Sequence, residues 1–423
     1  MKTKTNTKTE IKTKTMTDMK RIAILFLLTT LLCLEAWSQQ RTTVSGTVVS
    51  ASTGQTLAGV SISGGGQAVV TNEDGYFLLK ADTALNSIVV SHVGYRSLTI
   101  GGEALKAEGG LRIRLQPTTI QLEEVLVVAM DPRDLVYAAI RKIPKNYSGR
   151  AELFHCFYRE TAMKRQRYIM VAEGVVDMYK TPYRNTFGRD RVAIRKGRRL
   201  LSPRSGDTLS VKVTGGPVTP VQLDIVKNRD LLLNDEDLDC YDMTMEAPTS
   251  IGDRSQYVVS IKPRCKKPYA LYYGKLYIDQ ETLAFTRAEL SLDMSDREKA
   301  TLMMLVKKPA GVRFRPKELS LLIDYRQENG ITHISYVRTT FRFNCDWRRR
   351  LFATSFTACC EMAVTSQETE QPEPISGRES FDQRDAFFDK VEFFRDSTFW
   401  QDYNIIEPTV SLDRAIDRLL KSR

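Results

Sequence analysis

The chain has 423 residues, with 62 lysines and arginines against 51 aspartates and glutamates, and a formal net charge of +11. His92, His155 and His333 are the only histidines, and each is followed three residues later by a tyrosine. This excludes the H-x-x-E pair of a zinc carboxypeptidase, and the sequence also has no H-E-x-x-H or G-x-S-x-G motif. We therefore expect histidines in the core or on the surface, no metal or other cofactor, and no enzyme activity. A hydrolase that uses scattered acidic residues is the alternative.

The amino terminus carries an export signal. Lys20 and Arg21 precede a 13-residue apolar run, and residues 36–38 then form a small-x-small pattern. This predicts a signal peptide within residues 1–38 that is cut before Gln39, since the run is shorter than the roughly 20 residues of a membrane span. An uncleaved anchor is the alternative. The protein is expected to be exported and to be periplasmic or associated with the outer membrane.

Residues 1–38 contain seven basic and three acidic residues, so the mature chain has a net charge of +7. A modest basic excess on an exported protein favours phosphorylated lipid or acidic glycan over nucleic acid, although it also serves solubility. The remaining 385 residues predict two or three domains. The predicted divisions are residues 39–118, 119–147, 148–365 and 366–423.

Residues 39–118 alternate apolar and polar side chains over seven short segments that are separated by turns. The last segment is the clearest, because Leu111, Ile113 and Leu115 face one side and two arginines face the other. Seven short strands in fewer than 80 residues predict a β-sandwich.

The polar stretch 72–75 (Asn-Glu-Asp-Gly) raises the question of a calcium site. An EF-hand loop with Gly75 at its sixth position would need acidic residues at positions 70 and 81, where valine and alanine stand. Asp-Gly between two apolar segments favours a hairpin turn, because glycine accepts a positive φ. We therefore expect a turn, with Phe77 and Leu79 in the core of the sandwich.

Together these segments resemble the carboxypeptidase-regulatory-like domain, whose fold is similar to that of transthyretin. The resemblance implies a rigid module without catalytic residues, used as a spacer or for docking. It rests on Gly46, Thr53-Gly54, residues 57–60, Thr71, residues 74–77, Ser91 and Gly94-Tyr95.

A helix is predicted after the sandwich, with Asp131 as its N-cap, Pro132 in its first turn and an end at Pro144. Its apolar face consists of Leu135, Val136, Ala139, Ile140 and Ile143. The preceding segment 120–129 resembles the one that follows the same module in glycan-importing TonB-dependent transporters. An accessory or truncated relative of such a transporter is therefore a second alternative function.

Residues 148–365 contain repeated hairpin patterns. Asn329-Gly330 favours a type I′ turn between two alternating strands, and a second strand pair flanks residues 279–282. One polar and one apolar face predict a long antiparallel sheet that curls over a core. The segment 274–279 is similar to half-barrels of the lipoprotein-carrier type, and this resemblance implies a sheet that wraps around helices and can hold an acyl chain.

Six cysteines remain after the signal peptide, and their spacing matches no zinc template. Export permits disulfides, so Cys240 and Cys265 are a possible bridge between predicted strands. Unpaired buried thiols are the alternative.

Two basic clusters are candidate anion-binding sites. Guanidinium groups can bind a phosphate through two hydrogen bonds at once, so lipid A phosphates or another polyanion would fit. A solvated loop is the alternative. The candidate residues are Arg189, Arg191, Arg195, Lys196, Arg198, Arg199, Arg348, Arg349 and Arg350.

The carboxyl-terminal part begins with a polar linker over residues 361–378. The aromatic segment that follows is expected to pack on the large sheet, with a docking tail as the alternative; its rings are Phe387, Phe388, Phe393, Phe394, Phe399 and Trp400. A final helix is predicted with Ser411 as its cap. Its apolar face consists of Leu412, Ala415, Ile416 and Leu419.

This tail and residues 157–160 resemble exported envelope proteins that carry the regulatory-like module before a β-rich region of unknown function. The chain is thus expected to be mainly β, with a seven-stranded sandwich followed by a larger antiparallel sheet or half-barrel and a few helices. The expected function is binding or assembly without catalysis. The expected partner is an envelope protein, a glycan or an anionic lipid, and not a nucleic acid.

Overall fold

The computed structural model describes residues 42–106, 109–118, 130–185, 188–204, 207, 211–348, 352–368, 370–393 and 399–421. The predicted signal peptide, the segment 120–129, Arg349, Arg350 and Phe394 lie outside these ranges. Within them, no helix combines the length and the apolar character that a membrane crossing requires.

The predicted sandwich forms because alternating apolar side chains of two small sheets meet in one core. Its strands are β1 (Thr42–Ser50), β2 (Ser61–Gly64), β3 (Gln67–Val70), β4 (Tyr76–Ala81), β5 (Ser87–Ser91), β6 (Leu98–Gly101) and β7 (Leu111–Leu115). One sheet has the order β4-β1-β7 and the other β3-β2-β5-β6, and a short helix α1 (Gly102–Leu105) follows β6. Phe77 and Leu79 are fully buried, and Gly75 has a φ of +74° in the turn before β4, as predicted.

The rest of the chain builds one large antiparallel sheet. Its strands are β8 (Glu152–Lys164), β9 (Arg167–Lys180), β10 (Arg191–Leu201), β12 (Tyr241–Met245), β13 (Thr249–Ile251), β14 (Arg254–Pro263), β15 (Tyr272–Asp279), β16 (Phe285–Leu292), β18 (Val312–Glu328), β19 (Ile331–Trp347) and β20 (Thr354–Gln367). Their order is β12-β14-β15-β16-β18-β19-β20-β8-β9-β10, with β13 on β14. Two short strands, β11 (Lys212–Val213) and β17 (Leu305–Lys307), pair separately.

We call the face of the large sheet that packs on helices its inner face. The main helix there is α2 (Pro132–Asn146), whose Leu135, Val136 and Ala139 are at most 1% exposed. The shorter elements are α3 (Thr219–Gln222), a 3-10 turn (Arg229–Leu231), α4 (Asp235–Leu238) and α5 (Arg297–Met304). Their buried side chains and those of the sheet form one continuous core. Helical side chains therefore occupy the face on which the half-barrel resemblance placed an acyl chain.

Helix α2 begins as predicted but ends two residues later. Asp131 accepts a hydrogen bond from the main-chain N–H of Arg133 at 2.8 Å, and Pro132 occupies the first turn. Pro144 lies within the last turn instead of ending the helix, because Tyr147 N still donates to Ile143 O at 3.0 Å. The missing N–H of the proline thus costs one hydrogen bond without changing the direction of the chain.

The carboxyl-terminal boundaries also differ from the prediction. Strand β20 continues to Gln367, so the polar segment from residue 361 is strand before it becomes linker. Helices α6 (Phe387–Lys390) and α7 (Val410–Lys421) follow. The cap of α7 is Thr409 rather than Ser411, since Thr409 Oγ1 accepts a hydrogen bond from Leu412 N at 3.1 Å. The predicted apolar face of α7 is buried.

The aromatic rings pack on the large sheet, as predicted. Phe387 is buried in the main core, whereas Phe399 and Trp400 are buried with Ile405 and Ile406 on the opposite face of the sheet, which we call its outer face. Sequence-distant residues hold the ring-bearing chain in place, so the segment is part of the folded body.

Residues 399–421, the C-terminal segment, join the sandwich to the large sheet. The side chain of Asn404 accepts a hydrogen bond from Lys80 N and donates one to Lys80 O, both at 2.8 Å. Lys80 Nζ donates to the carbonyl oxygens of Trp400 and Tyr403. On the sheet side, Arg159 donates to the carbonyl oxygen of Ile406. The segment therefore contacts both domains along its length.

A disulfide joins Cys240 and Cys265, which confirms the predicted pair. It connects the residue before β12 to the residues after β14, two neighbouring antiparallel strands. In the described part of the chain Cys156, Cys345 and Cys360 are buried free thiols, and Cys359 is half-buried.

Candidate binding cleft

A cleft of about 1210 Å³ lies on the outer face of the large sheet. Its floor is formed by strands β15, β16, β18, β19, β20 and β8. One wall is the sandwich, through residues 58–59, 71–73 and His92, and another is the C-terminal segment, through residues 406–409. The cleft is thus built where the three parts of the fold meet.

A row of charged side chains crosses the floor from strand to strand. The register places Lys275 opposite Glu289, Glu289 opposite Leu322, and Leu322 opposite Arg338. The row continues through neighbouring strands as Glu361, Arg159, Glu173 and Arg198. Apart from Leu322 the charges alternate in sign, so each charged residue faces an opposite charge on the next strand, an arrangement that stabilises a sheet.

One half of this charged row is buried under the C-terminal segment. Glu173 accepts hydrogen bonds from Arg159 and Arg198 at 2.8 Å each and from Trp400 Nε1 at 3.2 Å. Burial opposes the ionisation of Glu173, but the two arginines outweigh it, so the pKa of this carboxyl is lowered. Glu361 lies 3.3 Å from Arg159 and completes the network. This half of the row is structural, and the half from Lys275 to Arg338 faces the cleft.

A second row on the floor carries small polar groups. The register aligns Ser291, Ser320, Thr340, Cys359 and Thr161 on consecutive strands. All five side chains line the cleft, and all are half-buried. The floor therefore offers one line of charges and, beside it, one line of hydroxyls and a thiol.

The stretch 72–75 is a turn, as predicted, and its polar side chains dock the sandwich. Asn72 Nδ2 donates to the carbonyl oxygens of Glu407 and Pro408, at 3.2 and 3.0 Å. Asp74 accepts a hydrogen bond from Val410 N at 2.7 Å, at the start of α7. Glu73 reaches the other way and pairs with Arg338 in the charged row. The acidic residues that suggested a calcium loop thus bind two other parts of the protein.

The acidic side chains that open onto the cleft are ion-paired. Glu289 lies 2.7 Å from Arg287, and Glu318 lies 3.2 Å from Arg342. Arg165 and Lys317 also line the cleft and are exposed, and neither has a carboxylate within 4.0 Å in the described part of the chain. The cleft therefore has an excess of positive charge.

Most of the first predicted basic cluster lies on strand β10, so the interpretation of this stretch as a solvated loop is wrong. Arg195 pairs with Asp177, and Arg198 pairs with Glu173, both on the neighbouring strand β9. Carboxylates that are 18 and 25 residues away in sequence thus satisfy these cations.

Three further cations of this cluster donate to main-chain carbonyl oxygens: Arg191 to Ile375, Lys196 to Phe399 and Arg199 to Phe388. Arg189 and Arg348 are exposed. The described members of the two clusters do not line the cleft, and anion binding by these residues stays a prediction.

The histidines occupy core or partly exposed positions. His333 is 2% exposed and stacks on Phe154, and burial together with Arg326 lowers its pKa to about 3. His92 lines the cleft, and burial and the charge of Arg287 lower its pKa to about 4. His155 is 38% exposed, and its hydrogen bond to Asp177 raises its pKa. In the described residues, no group of three or more metal-ligand side chains is present.

His333 is expected to make the fold acid-sensitive. Because its folded pKa lies below the unfolded value of about 6.5, the unfolded chain binds a proton first as the pH falls. This lowers the free energy of unfolding below pH 6.5, by about 2 kcal/mol at pH 5. His333→Phe keeps the stacking and cannot titrate. Urea titrations at pH 7.5 and 5 should show a smaller acid loss for the variant, and equal losses would contradict the prediction.

Residues 44–127 match the family model of the CarboxypepD_reg-like domain. The match covers the whole sandwich and the start of the following connection, as the sequence resemblance predicted. No curated protein matches the chain.

Three solved structures are similar to parts of the chain. A DUF1329 family protein from Desulfovibrio piger has 12% identity and a TM-score of 0.23, over 56% of this chain and 94% of that chain. A putative outer membrane lipoprotein-sorting protein domain from Vibrio parahaemolyticus has 10% and 0.25, over 55% and 91%. A LolA superfamily protein from Nitrosomonas europaea has 12% and 0.18, over 58% and 97%. At these TM-scores the likeness says nothing about the function of this chain.

Proposed function

We propose that this protein is a non-catalytic binding protein of the bacterial cell envelope and that it holds an extended glycan in the cleft on the outer face of its large sheet. The cleft itself carries the proposal. Its volume of about 1210 Å³ exceeds that of typical small-molecule pockets, about 300–1,000 Å³. Its floor presents a row of charges beside a row of small polar groups, which suits a chain of hydroxyl-bearing units.

A glycan fits this floor better than a peptide strand or an acyl chain. An extended peptide usually adds to the free edge of a sheet through main-chain hydrogen bonds. The cleft instead offers the side chains of strands that are already paired on both sides, such as β18 and β19. An acyl chain needs an apolar cavity, and the apolar inner face is packed with helices.

The charge pattern supports binding rather than hydrolysis. A general acid needs a carboxyl whose pKa is raised towards neutrality, as in glycosidases. In the cleft, Glu289 and Glu318 each lie beside an arginine, which favours the ionised carboxylate. Such paired groups can accept hydrogen bonds from ligand hydroxyls but are poor proton donors.

Export is supported by the disulfide between Cys240 and Cys265, since disulfides form and persist mainly outside the reducing cytosol. A location in the periplasm or at the outer membrane is therefore part of the proposal. The predicted signal peptide agrees with it.

The proposal is tested by blocking the cleft. Ser291→Trp places a large ring on the floor, and Leu302→Trp, at a position that is 78% exposed on α5, is the matched control. Binding of dextran and oligogalacturonide chains is measured by calorimetry, with anionic lipid vesicles and an unfolded acidic peptide as further probes. We expect at least one glycan to bind, Ser291→Trp to bind it at least tenfold more weakly, and the control to match the wild type.

Three results would refute the proposal: no binding of either glycan, equal binding by Ser291→Trp, or binding of only the vesicles or only the peptide. Circular dichroism and urea titration of both variants verify that a loss of binding is not a loss of folding.

A further inference from the structure

Glu73 is the one acidic side chain of the sandwich that pairs with the charged row. Its carboxylate contacts Arg338, while 59% of the Glu73 side chain and 33% of the Arg338 side chain remain exposed. Both residues line the cleft. The pair is therefore at the surface of the cleft, where a ligand can reach it.

We propose that Glu73 is an internal substitute for an acidic group of the ligand, so that the cleft selects an acidic glycan, which binds in competition with Glu73. This inference rests on the proposed function and adds the chemical class of the ligand and a built-in restraint on its affinity. An arginine side chain binds a carboxylate or a phosphate through paired N–H donors, so Arg338 can exchange one anion for another without rearrangement.

The surroundings of Arg338 leave it without another free carboxylate. Its neighbour across β20 is Glu361, and that carboxylate already accepts hydrogen bonds from Arg159 at 3.3 Å and from Tyr336 at 3.1 Å. If Glu73 moves away, Arg338 therefore faces an excess of positive charge. An anionic group of the ligand would restore the balance.

The cations along the floor extend this preference beyond a single contact. Lys317 lies on β18 beside the bulge next to Glu318, Arg342 is the partner of Glu318 on β19, and Arg165 lies in the turn at the end of β8. Strands β18 and β8 are three steps apart in the sheet, or roughly 14 Å at the usual strand spacing. Basic side chains are thus spread along the cleft, which suits a polymer with repeated acidic groups. A flat membrane surface would not reach between the walls.

Release of Glu73 does not require the sandwich to detach. Asn72 and Asp74 hold the same turn on the C-terminal segment through main-chain hydrogen bonds. The exposed pair of Glu73 and Arg338 contributes little to stability, because partly solvated ion pairs are screened by water. Competition therefore affects ligand affinity and leaves the fold intact.

The test compares Glu73→Gln with Glu103→Gln, whose carboxylate is 93% exposed on the same domain and pairs with Lys106. Oligogalacturonide, phosphorylated dextran and neutral dextran of equal length are titrated by calorimetry at low and high salt. We expect Glu73→Gln to bind the acidic chains three- to tenfold more tightly and neutral dextran unchanged, and Glu103→Gln to match the wild type. The two acidic chains distinguish carboxylate from phosphate.

Two further variants locate the effect. Arg338→Gln should bind acidic chains at least tenfold more weakly and should remove the gain from Glu73→Gln when the two are combined. Arg165→Ser with Lys317→Ser should weaken acidic chains and reduce their salt dependence. If wild type binds a glycan but Glu73→Gln gives no gain, or if neutral dextran binds as well as acidic chains, this inference fails and the proposed cleft stands. If no chain binds to any variant, both fail.

Discussion

Replacing Glu173 by glutamine is expected to lower the free energy of unfolding by about 3–5 kcal/mol, the usual cost of breaking a buried ion pair. Glu173 is 1% exposed and is the only carboxylate that contacts both Arg159 and Arg198 among the described residues. The glutamine keeps the shape of the side chain but not its charge. Two arginines would then share a buried site with less negative charge, at the point where the C-terminal segment covers the sheet.

Urea titration at neutral pH measures this effect. Glu103→Gln makes the same chemical change at an exposed position and should alter stability little. Equal unfolding curves for the two variants would show that the buried half of the charged row does not stabilise the fold. A large loss for Glu173→Gln would instead support its role as the main link between strands β8, β9 and β10.

Loss of the disulfide between Cys240 and Cys265 is expected to cost about 3 kcal/mol, because the bond closes a loop of 25 residues and restricts the unfolded chain. Adding a reductant to the wild type should lower its urea midpoint to that of the double variant Cys240→Ser and Cys265→Ser. The same reductant should leave the double variant unchanged, since the other described cysteines are free. A wild type that is insensitive to reductant, once reduction has been verified by thiol labelling, would contradict this expectation.

Local signals in the sequence predicted most of the fold. Asn329-Gly330 has positive φ values of 50° and 82° in the turn between β18 and β19, where the Asn-Gly pair predicted a type I′ turn. The seven strands of the sandwich, the cap of α2 and the apolar face of α7 were also predictable, because each depends on residues that are close in sequence.

The candidate site could not be predicted in the same way, because it depends on strand order and register. Glu73 and Arg338 are 265 residues apart, and nothing near either one indicates the other. Strand β10 was mistaken for a loop for a related reason: its arginines look solvated until Glu173 and Asp177 on β9 are placed beside them. The alternating charges at Lys275, Glu289 and Arg338 become a row only when the strands are aligned.

The hydrogen bonds between Asn404 and Lys80 have a consequence for solubility. Strand β4 is the outermost strand of its three-stranded sheet, and an outermost strand with free main-chain groups invites pairing with another molecule. The amide of Asn404 occupies both main-chain groups of Lys80 and so imitates one residue of a missing neighbour. A sandwich produced without residues 399–421 would expose this border and be prone to self-association, so the tail also acts as a guard against aggregation.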